Sequence, residues 1–150
     1  TDDFIIDILS GFTELIDQII GMMNKIGIGI SFFSLLVGGF GIANIMFVSV
    51  KERTNLIGIQ KALGAKNRFI LFQFLFEAVI LSLFGGLVGI LMVWGIMAIL
   101  SNMIEFKFVL SFGIVAFGTA VAVLIGLVSG ILPAISASRL DPVEAIRSGM

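Results

Sequence analysis

Three long stretches of this chain carry almost no charge, and they limit its folds more than any other feature. Ile26 to Val50 has no charged residue, Phe69 to Ile104 has only Glu77, and Phe108 to Leu132 has none. A helix needs about 20 apolar residues to cross a hydrocarbon core roughly 30 Å thick. Composition points the same way: 59% of residues are hydrophobic, 13% are charged, and mean hydropathy is +1.19, well above what a soluble chain tolerates. The expected fold is an all-α transmembrane helical bundle with three spans.

The same composition removes most other functions. Nine Lys and Arg against ten Asp and Glu give a net charge of -1, so there is no basic surplus to neutralise a nucleic-acid backbone. Without Cys or His, the chain has no disulfide, no thiolate or imidazole metal site, and no Cys/His or Ser/His nucleophile system. Gly64-Ala65-Lys66-Asn67 lacks both the spacing and the hydroxyl of a phosphate-cradling loop, so any ATP chemistry would belong to another polypeptide region.

Residues 1–26 are expected to form an amphipathic stalk helix. Ile5, Leu9, Phe12, Ile16, Ile19, Met23 and Ile26 follow the alternating four- and three-residue spacing of a heptad seam, with Asp2, Asp3, Asp7, Glu14, Asp17 and Gln18 off it. A helix lying flat on lipid would favour Lys and Arg on its polar face. This face is acidic, which favours an upright stalk whose seam meets a second copy.

The remainder, 27–150, reads as a membrane domain with spans at about 27–50, 78–100 and 108–132. The middle stretch is too long for one straight span, since roughly 36 residues at about 1.5 Å each reach about 54 Å. Phe69 to Phe76 is therefore expected as a lead-in near the surface, with any kink at Gly85-Gly86 and Pro133 ending the third span. Lys51, Arg53, Lys61, Lys66, Arg68, Arg139 and Arg147 fall on one side of these spans, and only Lys25 and Lys107 on the other. The basic-rich loop and tail are thus expected inside and the stalk outside. The chain starts at Thr1 without a signal-peptide pattern, so an earlier span is expected upstream.

Gly118, Ala122, Gly126, Gly130, Ala134 and Ser138 recur every four residues, a face suited to close helix packing. The bland alternative is the ordinary glycine content of membrane helices. Glu77, the one acid in an apolar stretch, is a candidate functional group by its cost alone. Its place near the basic end suits pairing with a basic residue better than a proton relay, which would need several such groups. Between the first two spans, Leu56, Ile59 (or Gln60) and Leu63 lie on one side of a short helix over about 52–65, with Gly64 as its stop. That stripe could rest in headgroups, but Gly58, Ala62, Gly64 and Ala65 suit a protein groove.

Several of these motifs occur in the order of a known family. Gly38-Gly39-Phe40-Gly41-Ile42-Ala43-Asn44 leads into Glu52-Arg53-Thr54, Ile57-Gly58-Ile59 and Lys61-Ala62-Leu63-Gly64-Ala65. Gln73-Phe74-Leu75-Phe76-Glu77-Ala78 and Leu140-Asp141-Pro142-Val143-Glu144-Ala145-Ile146-Arg147 follow. From about Gly27 to its end the chain resembles the MacB/FtsX-like ABC permeases, and the ordered motifs make the resemblance specific.

The resemblance implies the end of an extracytoplasmic stalk plus the last three of four spans, with a first span and outer domain absent. It implies a coupling helix docking on an ATP-binding cassette subunit or domain through Glu52, Arg53, Thr54, Ile57, Gly58, Ile59, Ala62, Leu63 and Gly64. Glu77 would be the acid opening the next span, and Leu140 to Arg147 the cytoplasmic tail. Two permease copies would pair, and cassette closure would pass through the spans to the stalk as a mechanical lever, for export or efflux. ATP and Mg would sit on the cassette, with no cofactor and no enzymatic site in this chain. Lipid, a second copy and an extracytoplasmic partner are its expected contacts, in a bacterial inner membrane. Leu56 and Gln60 depart from the family's usual acid and base around the Ile-Gly-Ile match, which puts its polar contacts to the cassette in doubt. The rival reading is an ATPase-independent scaffold or small transporter.

Overall fold

A computed structural model describes residues 1–105 and 110–148 of the chain. Lys107 and Phe108, on which the charge count and the start of the third span partly rest, lie outside the described residues. Among those described, the fold is all α: α1 (Asp2–Glu52), α2 (Thr54–Ala62), α3 (Asn67–Ile104), α4 (Phe112–Ser138) and α5 (Pro142–Ser148). α1, α3 and α4 are long and apolar enough to cross a membrane, so this is a transmembrane helical bundle with three spans.

The chain divides into two units, Thr1–Val37 and Gly38–Met150. The first is helical from Asp2 onward, and its two leading acids complement the positive end of the helix dipole. The hydroxyls of Ser10 and Thr13 donate to the carbonyls of Ile6 and Leu9, each at 2.9 Å, so these polar groups are satisfied along the helix itself. Ile5, Leu9, Phe12, Ile16, Ile19 and Met23 are all exposed.

In the second unit an apolar cluster forms where the end of α1, α2, the start of α3 and the end of α4 converge. It contains Met46, Val50, Ile57, Ile70, Phe74, Ala78, Ala134 and Ala137. The small side chains lie on α3 and α4, so the larger Met46, Ile70 and Phe74 fill the space between backbones and are fully buried.

The helix ends have local causes. Ser111 caps α4 by accepting from the Ile114 N–H at 3.3 Å, and the Asp141 carboxylate caps α5 by accepting from the Val143 N–H at 3.1 Å, with Pro142 opening the helix. α2 stops just before Gly64, whose φ of 103° is open to glycine at little cost. There the Gly64 N–H donates to Lys61 and the Ala65 N–H to Gln60, both at 3.0 Å, in the paired pattern of a left-handed helix stop.

Several boundaries differ from the sequence expectation. The segments expected as stalk and first span are one helix, because nothing between residues 26 and 30 breaks it; Gly27 and Gly29 cost only about 1 kcal/mol each against alanine. The lead-in before Glu77 and the second span are likewise one helix through Gly85 and Gly86, which at about 57 Å is longer than a hydrocarbon core. The short helix is Thr54–Ala62 rather than 52–65, since Arg53 leaves helical geometry at φ -102°, ψ 12°. Pro133 does not end the third span: α4 continues to Ser138. Pro133 is fully buried, beside Ala134 and Ala137 of the apolar cluster, and that packing offsets the roughly 3 kcal/mol that an interior proline costs.

Candidate functional site

The residues singled out between the first two spans come together at the basic-rich end of the second unit. Arg53 lies at the break between α1 and α2. Its Nε donates to the Ser49 hydroxyl at 3.1 Å, its Nη2 bonds the Glu77 carboxylate, and its guanidinium lies 5.2 Å from the centre of the Phe74 ring. The acid of the second span is thus neutralised by an arginine that also stacks on its neighbour one turn earlier. Arg53 and Glu77 side chains are 35% and 34% exposed, so the pair sits at the rim of the bundle. A carboxylate engaged in this way is part of a clamp between the end of α1 and α3. Thr54 adds to the joint, its hydroxyl donating to the Val50 and Lys51 carbonyls at 2.9 and 3.0 Å.

α2 has two distinct sides. On one, Ile57 enters the apolar cluster and Gly58 abuts α5. A Cβ at Gly58 would lie 2.8 Å from the Ala145 Cβ and 3.0 Å from the Pro142 carbonyl oxygen, so this close approach requires glycine. Lys61, on the same helix, donates to the backbone carbonyls of Ser138 and, at 2.7 Å, Leu140. Burial pulls the Lys61 ammonium below the ordinary lysine range, and the Asp141 carboxylate pulls the other way. On the other side Leu56, Ile59 and Leu63 are exposed, and Glu52, Ala62 and Gly64 are exposed with them. Gly58, placed by the sequence among partner contacts, is therefore turned inward onto the chain's own tail. Sequence reasoning also missed Lys61 as an anchor. Its signal was one lysine, between Gln60 and Ala62, among five basic residues from Lys51 to Arg68, which spacing alone does not distinguish from a solvated charge.

Along the spans, the small-residue run of α4 meets α3 unevenly. Ala78 of α3 closes on Gly130, and a Cβ at Gly126 would lie 2.9 Å from the Ser82 Cβ and 3.0 Å from the Val79 Cα. Ser82 donates to the Ala122 carbonyl across the same contact. At Gly118 the helices separate, and an apolar cleft of about 230 Å³ opens between Leu83, Gly86, Leu87 and Ile90 of α3 and Val115, Gly118, Thr119 and Ala122 of α4. Among the described residues no cluster of acids could hold a metal ion.

Against this geometry stand the similarities to known proteins. The family model described as FtsX-like permease C-terminal matches residues 28–142. The macrolide export ATP-binding/permease protein MacB of Syntrophobacter fumaroxidans is 42% identical over 146 residues, which cover 97% of this chain and 20% of that protein. The uncharacterized ABC transporter permease YknZ of Bacillus subtilis is 47% identical over 132 residues, covering 88% of this chain and 33% of YknZ. A second B. subtilis permease, YvrN, is 50% identical over 119 residues, 79% of this chain and 29% of its own length. The chain therefore spans a fifth to a third of the length of these relatives.

Proposed function

The chain belongs to the FtsX-like permease family, and on that premise we propose that it is the C-terminal part of an ABC transporter permease that works as a mechanical lever. Closure of an ATP-binding cassette moves α2, and the spans pass that motion to an extracytoplasmic stalk for export or efflux. Hydrolysis belongs to the cassette, which carries ATP and Mg. The permease acts as a pair of copies in a bacterial inner membrane.

The observation that carries this reading is the two-sidedness of α2. Ile57, Gly58 and Lys61 fasten one side to the bundle and tail, while Leu56, Ile59 and Leu63 leave an apolar stripe exposed. A helix too short for its own core, anchored on one side and apolar on the other, suits docking into a groove of a partner protein. The seven basic residues on that side of the spans support a cytoplasmic location for it. The paired state of Glu77 weighs against a small proton-coupled transporter.

The test is co-purification of the full-length permease with its cassette, with and without Leu56→Asp. Loss of the cassette in the variant supports the reading; equal recovery from both, or no ATPase partner for the unaltered protein, refutes it.

A further inference from the structure

We propose that Lys61 is the positioning residue through which movement of α2 is passed to α4. This rests on the coupling role of α2 given above and adds the residue and the receiving span. The ammonium of Lys61 donates to the carbonyl oxygens of Ser138 and Leu140, at and just beyond the carboxyl end of α4. The preceding carbonyls of Ile135 and Ala137 already accept from the N–H groups of Arg139 and Leu140, at 3.1 and 3.4 Å. Lys61 thus supplies the donor for the next carbonyls, where a helix has no internal partner left and where positive charge meets the negative end of the helix dipole.

The other anchors of α2 cannot do the same work. Gly58 closes on α5, at Pro142, Ala145 and Ile146, and Ile57 enters an apolar cluster whose contacts have no fixed direction. Charge-assisted hydrogen bonds are directional and short. They fix the register of α2 against the end of α4, so a displacement of one is a displacement of the other.

The test uses the full-length permease with its cassette in lipid, with spin labels at Met103 on α3 and Phe112 on α4, both highly exposed. The label distance is measured with and without trapped ATP in the unaltered protein, in Lys61→Met and in Lys61→Arg. Expected is an ATP-dependent change in the unaltered protein, kept in Lys61→Arg and lost in Lys61→Met while the cassette stays bound, with ATP-driven transport reduced about tenfold, the scale of a charged hydrogen bond. A full distance change in Lys61→Met with the cassette bound overturns the role of Lys61 alone. No ATP-dependent change in the unaltered protein overturns the lever reading itself. Should Lys61→Met fail to insert, Lys61→Ala, which also removes the donor, is read by the same criteria.

Discussion

Arg53, steadied by the Ser49 hydroxyl at 3.1 Å, bonds Glu77 and so ties the end of α1 to α3. Both side chains are about one-third exposed, so solvent screens the pair, and its contribution is about 1 kcal/mol, the upper end for such ion pairs. Glu77→Leu and Arg53→Met should each lower the melting temperature of the purified protein by a few degrees. In a double-mutant cycle the two effects should add to less than their sum. Strict additivity would mean that the pair contributes nothing.

The uneven contact of α3 with α4 separates two glycines of one run. Gly126→Val should destabilise the bundle by about 1–3 kcal/mol through overpacking against Val79 and Ser82. Gly118→Ala should be neutral, since its nearest neighbour across the interface is Ile90 Cδ1 at 3.9 Å from the added carbon. Thermal unfolding in detergent compares the two, and equal losses would contradict the open cleft at Gly118.

Charge patterning made most of the fold legible. Uncharged stretches gave the number of spans, because excluding charge from lipid is a strong and nearly one-dimensional constraint. The ends of elements were less readable. Pro133 looked like a stop because its cost is local, whereas its compensation is the burial of Pro133 and its neighbours within the bundle. The inward turn of Gly58 was hidden for a similar reason. A small residue suits any close approach, and only the position of α5 decides that Ala145 is what approaches. Glu77 was readable as an acid wanting a cation, but the choice of Arg53 over its basic neighbours depends on how α1 ends.

On the N-terminal part of α1, proposed above as a stalk, the exposed seam of Ile5, Leu9, Phe12, Ile16, Ile19 and Met23 is expected to meet its counterpart in a second copy. Phe12→Asp combined with Ile16→Asp should weaken cross-linking between stalks and uncouple transport while leaving membrane insertion intact. Unchanged cross-linking together with unchanged transport would assign the seam to lipid.

Orientation can be read from two asparagines, Asn67 at the start of α3 and Asn102 near its end. A cysteine at residue 102 should react with an impermeant thiol reagent in intact cells, and one at residue 67 only after the membrane is opened. The opposite pattern would reverse the topology and remove α2 from the cytoplasm.

ATP hydrolysis is expected to be felt on the exposed side of α2. Leu63 is 84% exposed, so Leu63→Asp should leave the fold intact and act only when a partner covers it. In the reassembled full-length complex, the transport-coupled ATPase rate should then fall with a loss of about 1–3 kcal/mol in docking, the scale of a buried unpaired charge. Asn67→Ser should change little. Full coupling of ATPase to transport in Leu63→Asp would contradict the account and leave the tail from Asp141 to Arg147 as the next candidate for the cassette's contact.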